Sequence, residues 1–434
     1  MPEIRQRVRP WGGIAALALA LFALSCHREP PRPRNVILIL VDTLRADRLS
    51  AWGYARPTSP NLDAFARESV RFDNARSQSA CTFPSANSVL TSRWPAAFLG
   101  QPEQAMGIPA GIPSLAEILR SRGFHTVAVS ASAVVRKSPS RFNPKGGFDR
   151  GFDVFQEDCV WQHADCVNNE AAAHLRRGKK PLFLYLHYID PHGPYRPPES
   201  WRHRFATGTP EKEWVRKGDP NPIGNWLYKG EPNPGLAPGD LQYLKDLYDE
   251  EIAYFDSQLA ELLGSIRAAG LLDDSLVILA SDHGEEFLEH GDIKHCRNLF
   301  DTSAHVPLLV RIPGIGGKTV CVGSKQNRFN GRSLRGEIEG SNVPDELQYG
   351  LMGELRSVSD GRFKLIQDLG GKPPALFDLK ADPGETRNVL PAERRTYARL
   401  RDALASWLAR NEGKGVADEA REAQKKLRSL GYIE

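Results

Sequence analysis

The sequence predicts an α/β fold: a mostly parallel central sheet between layers of helices, followed by a small α+β subdomain. Three observations carry this reading. Val36-Ile-Leu-Ile-Leu-Val41 runs straight into Asp42, and Leu276-Val-Ile-Leu-Ala280 leads into Asp282-His283-Gly284-Glu285. Unbroken apolar strands are buried on both faces, which marks a parallel sheet whose ligands gather beyond the strands' carboxyl ends. From Asn35 to about Pro313, strand-like runs also alternate with helical ones, as a sheet covered on both faces requires.

The elements follow in order. Arg5, Arg7 and Arg9 precede the apolar stretch from Gly12 to Leu24, which is shorter than the roughly 20 residues a spanning helix needs. It closes on Ala23-Leu24-Ser25-Cys26, a bacterial lipobox pattern with Ala where Leu or Val is more usual. Residues 1–26 therefore read as a lipoprotein signal peptide, cleaved before Cys26 and lipidated on its thiol. An ordinary cleaved signal or a short uncleaved anchor are the alternatives. Residues 27–34, rich in Pro and Arg, form an extended tether. Residues 35–340 form the catalytic domain and 341–434 the C-terminal subdomain.

Within the first domain, helices are expected at Asn61–Arg67, Thr82–Thr91 and Pro113–Arg122, the last stopped by Gly123, with a long amphipathic helix at Leu241–Ala269 stopped by Gly270. Thr126–Ser130 and Leu182–His187 read as further strands. Pro194–Gly239, dense in Trp, Pro and Gly, reads as a surface excursion near the ligand end of the sheet. In the second domain, Asp360-Gly361 is a two-residue turn signal that makes Glu354–Ile366 an antiparallel hairpin. Leu376–Leu379 adds a strand and Ala392–Arg410 a helix.

The bulk numbers agree with a large folded chain. The chain has 434 residues, 25% charged and 41% hydrophobic, which suits one large domain with an appendage. Its formal charge of +4 falls to +2 without the leader, too little to argue for nucleic-acid binding. Of six cysteines, Cys159 and Cys166 are near neighbours. In an oxidising compartment they read as a disulfide, with a zinc site including His163 as the alternative. Cys81, Cys296 and Cys321 are left unassigned.

Chemistry concentrates where carboxylate and histidine end a strand. Asp282 and His283 form half of a metal site, and Asp42 supplies another ligand. Thr82 precedes Pro84 at a helix start, where free N–H groups attract anions and a hydroxyl can serve as nucleophile or metal ligand. The plainer role for Thr82 is an N-cap.

With these residues assembled, the chain resembles the sulfatase branch of the alkaline phosphatase superfamily. The likeness rests on Asn35–Asp47, Thr58–Asp63, Pro84-Ser85 with Leu90-Thr91, Asp190-Pro-His192-Gly-Pro-Tyr195, Asp282–Glu285 and Asp378–Asn388. It implies an alkaline-phosphatase-like α/β/α sandwich and one divalent metal held by Asp42, Thr82, Asp282 and His283. Zn²⁺ or Mn²⁺ suits that set better than Ca²⁺ or Mg²⁺. Thr82 takes the nucleophile position, where the family usually carries a cysteine oxidised to formylglycine, in a Cys-x-Pro-x-Arg pattern. Cys81 stands one place too early, Ala86 replaces the arginine, and Thr43 stands where a second aspartate often follows the first ligand.

Threonine cannot release a bound group by collapsing to an aldehyde, so water or another acceptor must attack the central atom. That favours a phosphoester, phosphodiester or phosphonate over sulfate. The stretch Leu186-His187-x-x-x-His192-Gly-Pro, with His295, is similar to threonine-using phosphoethanolamine and phosphoglycerol transferases. It implies that His192 and His295 act in catalysis or on a second metal. His187 and Lys137 are expected at the substrate, His187 with His290 also as support behind the ligands. Lys137, with Arg141, has a solvated role as its alternative, as Asp190 has a turn role beside metal ligation. The partner expected is an anionic ester, an envelope polymer or lipid, with the chain tethered to a bacterial membrane. A sulfuric ester hydrolase is the alternative. A non-catalytic polymer-binding protein is another, since Gly331-Arg-Ser-Leu334 follows Pro313 without the helical Asp-x-x-Pro-Thr segment the family normally inserts.

Overall fold

A computed structural model describes residues 33–99, 107–177, 181–320 and 347–411. The expected leader, Cys26 and most of the tether lie outside these residues, as do Cys321 and Gly331–Leu334. No helix among the described residues is long and apolar enough to cross a membrane.

The central sheet has eight strands. In spatial order they are β10 (Lys318–Val320), β2 (Val70–Phe72), β9 (Leu308–Arg311), β6 (Ser275–Ser281), β1 (Asn35–Val41), β5 (Leu182–Tyr188), β3 (His125–Ser130) and β4 (Val154–Gln156). Only β9 runs against its neighbours. The period of two along β1 separates the two helix layers. Ile37, Ile39 and Val41 join a core formed with the helices Ala164–Arg177 and Asp240–Ala268. Leu38 and Leu40 face the other way, onto Phe83, Ala86 and Leu90 of the helix Thr82–Thr91 and onto Phe148 and Phe152. Phe183 and Tyr185 of β5 share this second face, so by alternation His187 points the same way, toward the layer that holds Thr82.

The expected surface excursion carries short helices, Glu213–Arg216 and Asn221–Lys229, which a Pro- and Trp-dense composition conceals.

A separate antiparallel sheet orders β11 (Gln348–Met352), β12 (Leu355–Ser359), β13 (Phe363–Asp368) and β14 (Ala375–Asp378). The chain turns between β12 and β13 at Gly361-Arg362, one residue beyond the expected Asp360-Gly361 pair: the Asp360 N–H donates to the Phe363 carbonyl at 3.1 Å, and Gly361 has φ 91°. One face is covered by the helix Arg394–Asn411 through Leu400, Leu404 and Trp407, a single helical stripe. The other face packs on the segments that flank Thr82 and His295: Met352, Ile366 and Phe377 bury Ala80, Cys81 and Cys296. This small sheet thus supports the segment that leads into Thr82. Beside that contact, the buried Lys364 ammonium lies 2.7 Å from Asp301 and 3.0 Å from Glu385.

Candidate active site

Three neighbouring strands deliver the centre. In β6-β1-β5, Val41 is level with Ser281 and Leu40 with His187. Asp42, Asp282 and His187 therefore meet at one edge of the sheet, each almost wholly buried. The Asp282 Oδ1 accepts from the backbone N–H of Thr43 at 3.1 Å and of His283 at 2.8 Å. Its Oδ2 has no hydrogen-bond partner, and neither have Asp42 Oδ1 and His187 Nε2. Burial and the neighbouring Asp282 carboxylate both push the Asp42 carboxyl well above its ordinary range. Buried polar atoms rarely go unpaired, and two crowded carboxylates beside a bare imidazole nitrogen are what a divalent cation would satisfy. One ligand atom from each of Asp42, His187 and Asp282 lies within 4.8 Å of the others. The donor set fits a divalent metal.

This corrects the role expected of His187. It does not line the cavity above the site but faces Asp42, with Nε2 3.6 Å from Asp42 Oδ2. His283 reaches the same centre from another side, with Nε2 3.4 Å from Asp282 Oδ2 and 3.8 Å from Asp42 Oδ1. Gly284 must be glycine, because a Cβ there would stand 2.0 Å from the Thr302 carbonyl oxygen.

Thr82 is the first residue of its helix rather than its cap; Cys81 takes the cap position in an extended conformation, without a side-chain capping bond. The Thr82 hydroxyl is thereby free for another partner, and its Oγ1 lies 3.1 Å from His283 Nε2. The Ser85 hydroxyl donates to the Asp282 carbonyl at 2.6 Å, fastening the helix to the end of β6.

Four histidines share one pattern. The Nδ1 atoms of His187, His192, His283 and His295 lie at 2.8 Å from Tyr185 Oη, 2.6 Å from the Gly193 carbonyl, 2.9 Å from the Gly284 carbonyl and 3.0 Å from Glu285 Oε1. A carbonyl can only accept, so His192 and His283 carry their proton on Nδ1 and present a bare Nε2; the Glu285 carboxylate orients His295 likewise. The His295 ring lies 4.6 Å from that of His283 and 5.0 Å from that of His192. Burial, reinforced by His295, lowers His192 to about 3, and burial beside His283 lowers His295 well below its usual value. Both rings are neutral at ordinary pH.

The cavity above the centre is lined by Asp42, Thr82, His192, His295, Lys294 and Trp161. Lys137, expected at the substrate, does not line it; its ammonium donates to the Phe155 carbonyl at 3.2 Å. Lys294 stands there instead, its ammonium 2.9 Å from Asn221 Oδ1. Asp190 pairs with His163 at 2.8 Å, and His290 is held by Glu286 and the Gly384 carbonyl. Cys159 and Cys166 are bonded to each other, and their loop carries Trp161, 46% exposed at the cavity mouth. A second disulfide, Cys81–Cys296, went unread in the sequence because its partners are 215 residues apart. A larger cavity lies on the far side of Arg45, but Arg45 and Arg76 within it are already paired to Asp47, Glu289 and Asp301.

Buried acids and histidines at the carboxyl end of an open α/β sheet, beside a hydroxyl at a helix start, form a donor set suited to a divalent metal. The chain belongs to the sulfatase family, whose model matches residues 34–331. It is 26% identical to iduronate 2-sulfatase of Homo sapiens over 357 residues, covering 70% of this chain but only 64% of that protein. It is 23% identical to choline-sulfatase of Rhizobium meliloti (strain 1021), covering 86% of each. Its fold is similar to that of the phosphonate monoester hydrolase of Agrobacterium radiobacter, with a TM-score of 0.68 and 22% identity over 88% of this chain and 96% of the other.

Proposed function

We propose that this protein hydrolyses or transfers a phosphate-type ester, a phosphodiester or phosphoester, with Thr82 as nucleophile. The observation that carries this is the Thr82 hydroxyl 3.1 Å from the bare Nε2 of His283, beside the unpartnered oxygens of Asp42 and Asp282. Cys81, the neighbouring thiol that might have replaced it, is locked in a disulfide. A divalent ion held by Asp42, Asp282 and His187 would neutralise the ester oxygens and acidify the hydroxyl, leaving His283 Nε2 free to serve Thr82 as base.

The chain's own residues supply the rest. His283 Nε2 accepts the Thr82 proton as Oγ1 attacks phosphorus and the bond to the leaving oxygen breaks. Free N–H groups at the helix start and the Lys294 ammonium hold the charged oxygens. The leaving oxygen takes a proton from solvent, which the proton later shed by His192 or His295 replaces. Water, or an acceptor hydroxyl in a transferase, then attacks phosphorus and gives its proton to His192 or His295, each neutral and bare at Nε2. The P–Oγ1 bond breaks and Thr82 recovers its proton.

We further infer an anionic envelope polymer or lipid as substrate and a lipid anchor on Cys26, readings supported by the leader alone. A sulfuric ester hydrolase is favoured by the names of the two relatives.

The test is a nitrophenyl panel of sulfate, phosphate monoester, phosphodiester and phosphonate, offered to residues 27–434 with Mn²⁺ or Zn²⁺. Phosphodiester or phosphoester turnover that disappears in Thr82→Ala is the expected result. Sulfate turnover surviving in that variant overturns the proposal. Silence on every ester with metal bound points to a binding protein instead.

A further inference from the structure

The Cys81–Cys296 disulfide joins the two walls of the candidate site at their chemically active points. Cys81 immediately precedes Thr82, and Cys296 immediately follows His295. Both cysteines line the cavity. On one side the bond anchors the residue that caps the Thr82 helix, whose carbonyl accepts from the Ser85 N–H at 3.1 Å. On the other it anchors a segment in an unfavourable backbone conformation: Lys294 lies at φ 69° and Cys296 at φ 64°, the left-handed region that side chains other than Asn, Asp and Gly avoid. Beyond the short pairing of β8 (Ile293–Lys294) with β7 (Glu286–Phe287), the Cys296 N–H reaches the Ala80 carbonyl at 2.8 Å. The segment is otherwise held from its far side, by Tyr228 on the Ile293 backbone, Asn221 on Lys294 and Glu285 on His295, so the cross-link is the covalent tie that sets where Lys294 and His295 stand relative to Thr82.

We propose that Cys81 and Cys296 are positioning residues, and that their disulfide makes turnover dependent on its oxidation. This rests on the reading of Thr82 and His295 as reacting groups. In the reduction step, a dithiol's thiolate attacks one sulfur and expels the other as a thiolate. The reagent's second thiol closes on itself, leaving a cyclic disulfide and two cysteine thiols that have gained two electrons and two protons. A shift of about 1 Å between reacting groups costs on the order of 100-fold in rate.

The test treats the folded, metal-loaded enzyme with dithiothreitol, mapping thiols by mass spectrometry and measuring kcat and KM on the best ester of the panel. Reduction of Cys81–Cys296 should lower kcat roughly 10- to 100-fold and change KM by less than about 3-fold. Reoxidation should restore kcat, whereas alkylation of the thiols should prevent recovery. The variant Cys81→Ala/Cys296→Ala should start at the low kcat and show no further response to the dithiol. Unchanged kcat after confirmed reduction overturns the proposal, as does an equal dithiol response in the double variant. If no ester is turned over, the chemistry proposed above fails separately. Hydrogen exchange then decides the disulfide's role: faster exchange on reduction at residues 81–84 and 293–298 upholds it, and unchanged exchange overturns it.

Discussion

Thr82 and His283, 201 residues apart in sequence, form a buried pair with Oγ1 3.1 Å from Nε2. The Nδ1 of the same ring donates to the Gly284 carbonyl at 2.9 Å, so the hydroxyl is the donor in the pair. A hydroxyl hydrogen-bonded to a base that a third group orients is the geometry of an activated nucleophile. Thr82→Ala should lower kcat by roughly 1,000-fold or more with the fold intact. Thr82→Ser keeps the oxygen and should retain activity within roughly 10-fold. Steady-state kinetics with circular dichroism checks both; an alanine variant as fast as the serine variant would remove Thr82 from the chemistry.

Much of this arrangement is legible in the sequence, and the boundary is physical. Asp42, Asp282 and His283 stand out because each follows an apolar strand, a local pattern. Placing His187 needs the spatial order β6-β1-β5, which brings a residue 145 positions beyond Asp42 beside it. No window of sequence contains that neighbour relation. Cys159 and Cys166 are close in the chain and read at once, whereas Cys81 and Cys296 are joined only after the helix start and the β7–β8 turn meet. Sequence does not separate Lys294 from Lys137, since both are cations in polar stretches, and only tertiary structure tells which faces the cavity.

The unpartnered Asp42 Oδ1, Asp282 Oδ2 and His187 Nε2 predict a dependence of stability on metal. An ion at about 100 times its Kd should stabilise the fold by roughly 2.7 kcal/mol, and a chelator should lower Tm accordingly. His187→Ala should abolish most of that gain. Tyr185→Phe removes only the oxygen 2.8 Å from His187 Nδ1 and should weaken metal binding roughly 10- to 100-fold. Calorimetric titration with Mn²⁺ or Zn²⁺ measures both. Wild-type affinity in His187→Ala would exclude it as a ligand.

Acid stability should depend on Asp301, which lies between Arg76 and Lys364, the latter in the small antiparallel sheet. Burial alone would raise its carboxyl, but Arg76, 2.7 Å away, and Lys364 outweigh burial and hold it well below its ordinary 3.8. Because the folded value is the lower one, the stabilisation is complete above about pH 3.8 and is lost as pH falls below it toward the folded value. Asp301→Asn should therefore lose stability at pH 7 and show a flatter acid limb below pH 4. Lys364→Met, which strips a buried cation from two carboxylates, should cost about 3–5 kcal/mol at pH 7. Thermal melts from pH 7 to pH 3 test the pair, and parallel acid limbs in wild type and Asp301→Asn would contradict the assignment.

The two lysines make a last, separable prediction. Lys294 lines the cavity with Thr82, and its backbone is held left-handed at φ 69°. Asn221 Oδ1, 2.9 Å from its ammonium, is a neutral partner, which leaves the positive charge able to meet an anionic ester. Lys137 instead donates to the Phe155 carbonyl, outside the residues that line the cavity. Removing the Lys294 charge should cost the one or two charge-assisted hydrogen bonds its remaining donors can offer an oxyanion, of which water recovers part. Lys294→Met should raise KM roughly 10-fold or more and steepen no further with salt, because the charge that salt screens has gone. Lys137→Met should leave KM within roughly 2-fold and keep the wild-type salt dependence. Kinetics across roughly 50–500 mM NaCl, over which the screening length falls from about 14 Å to about 4 Å, distinguish them. A larger KM effect from Lys137→Met than from Lys294→Met would move the anion's seat to the other lysine.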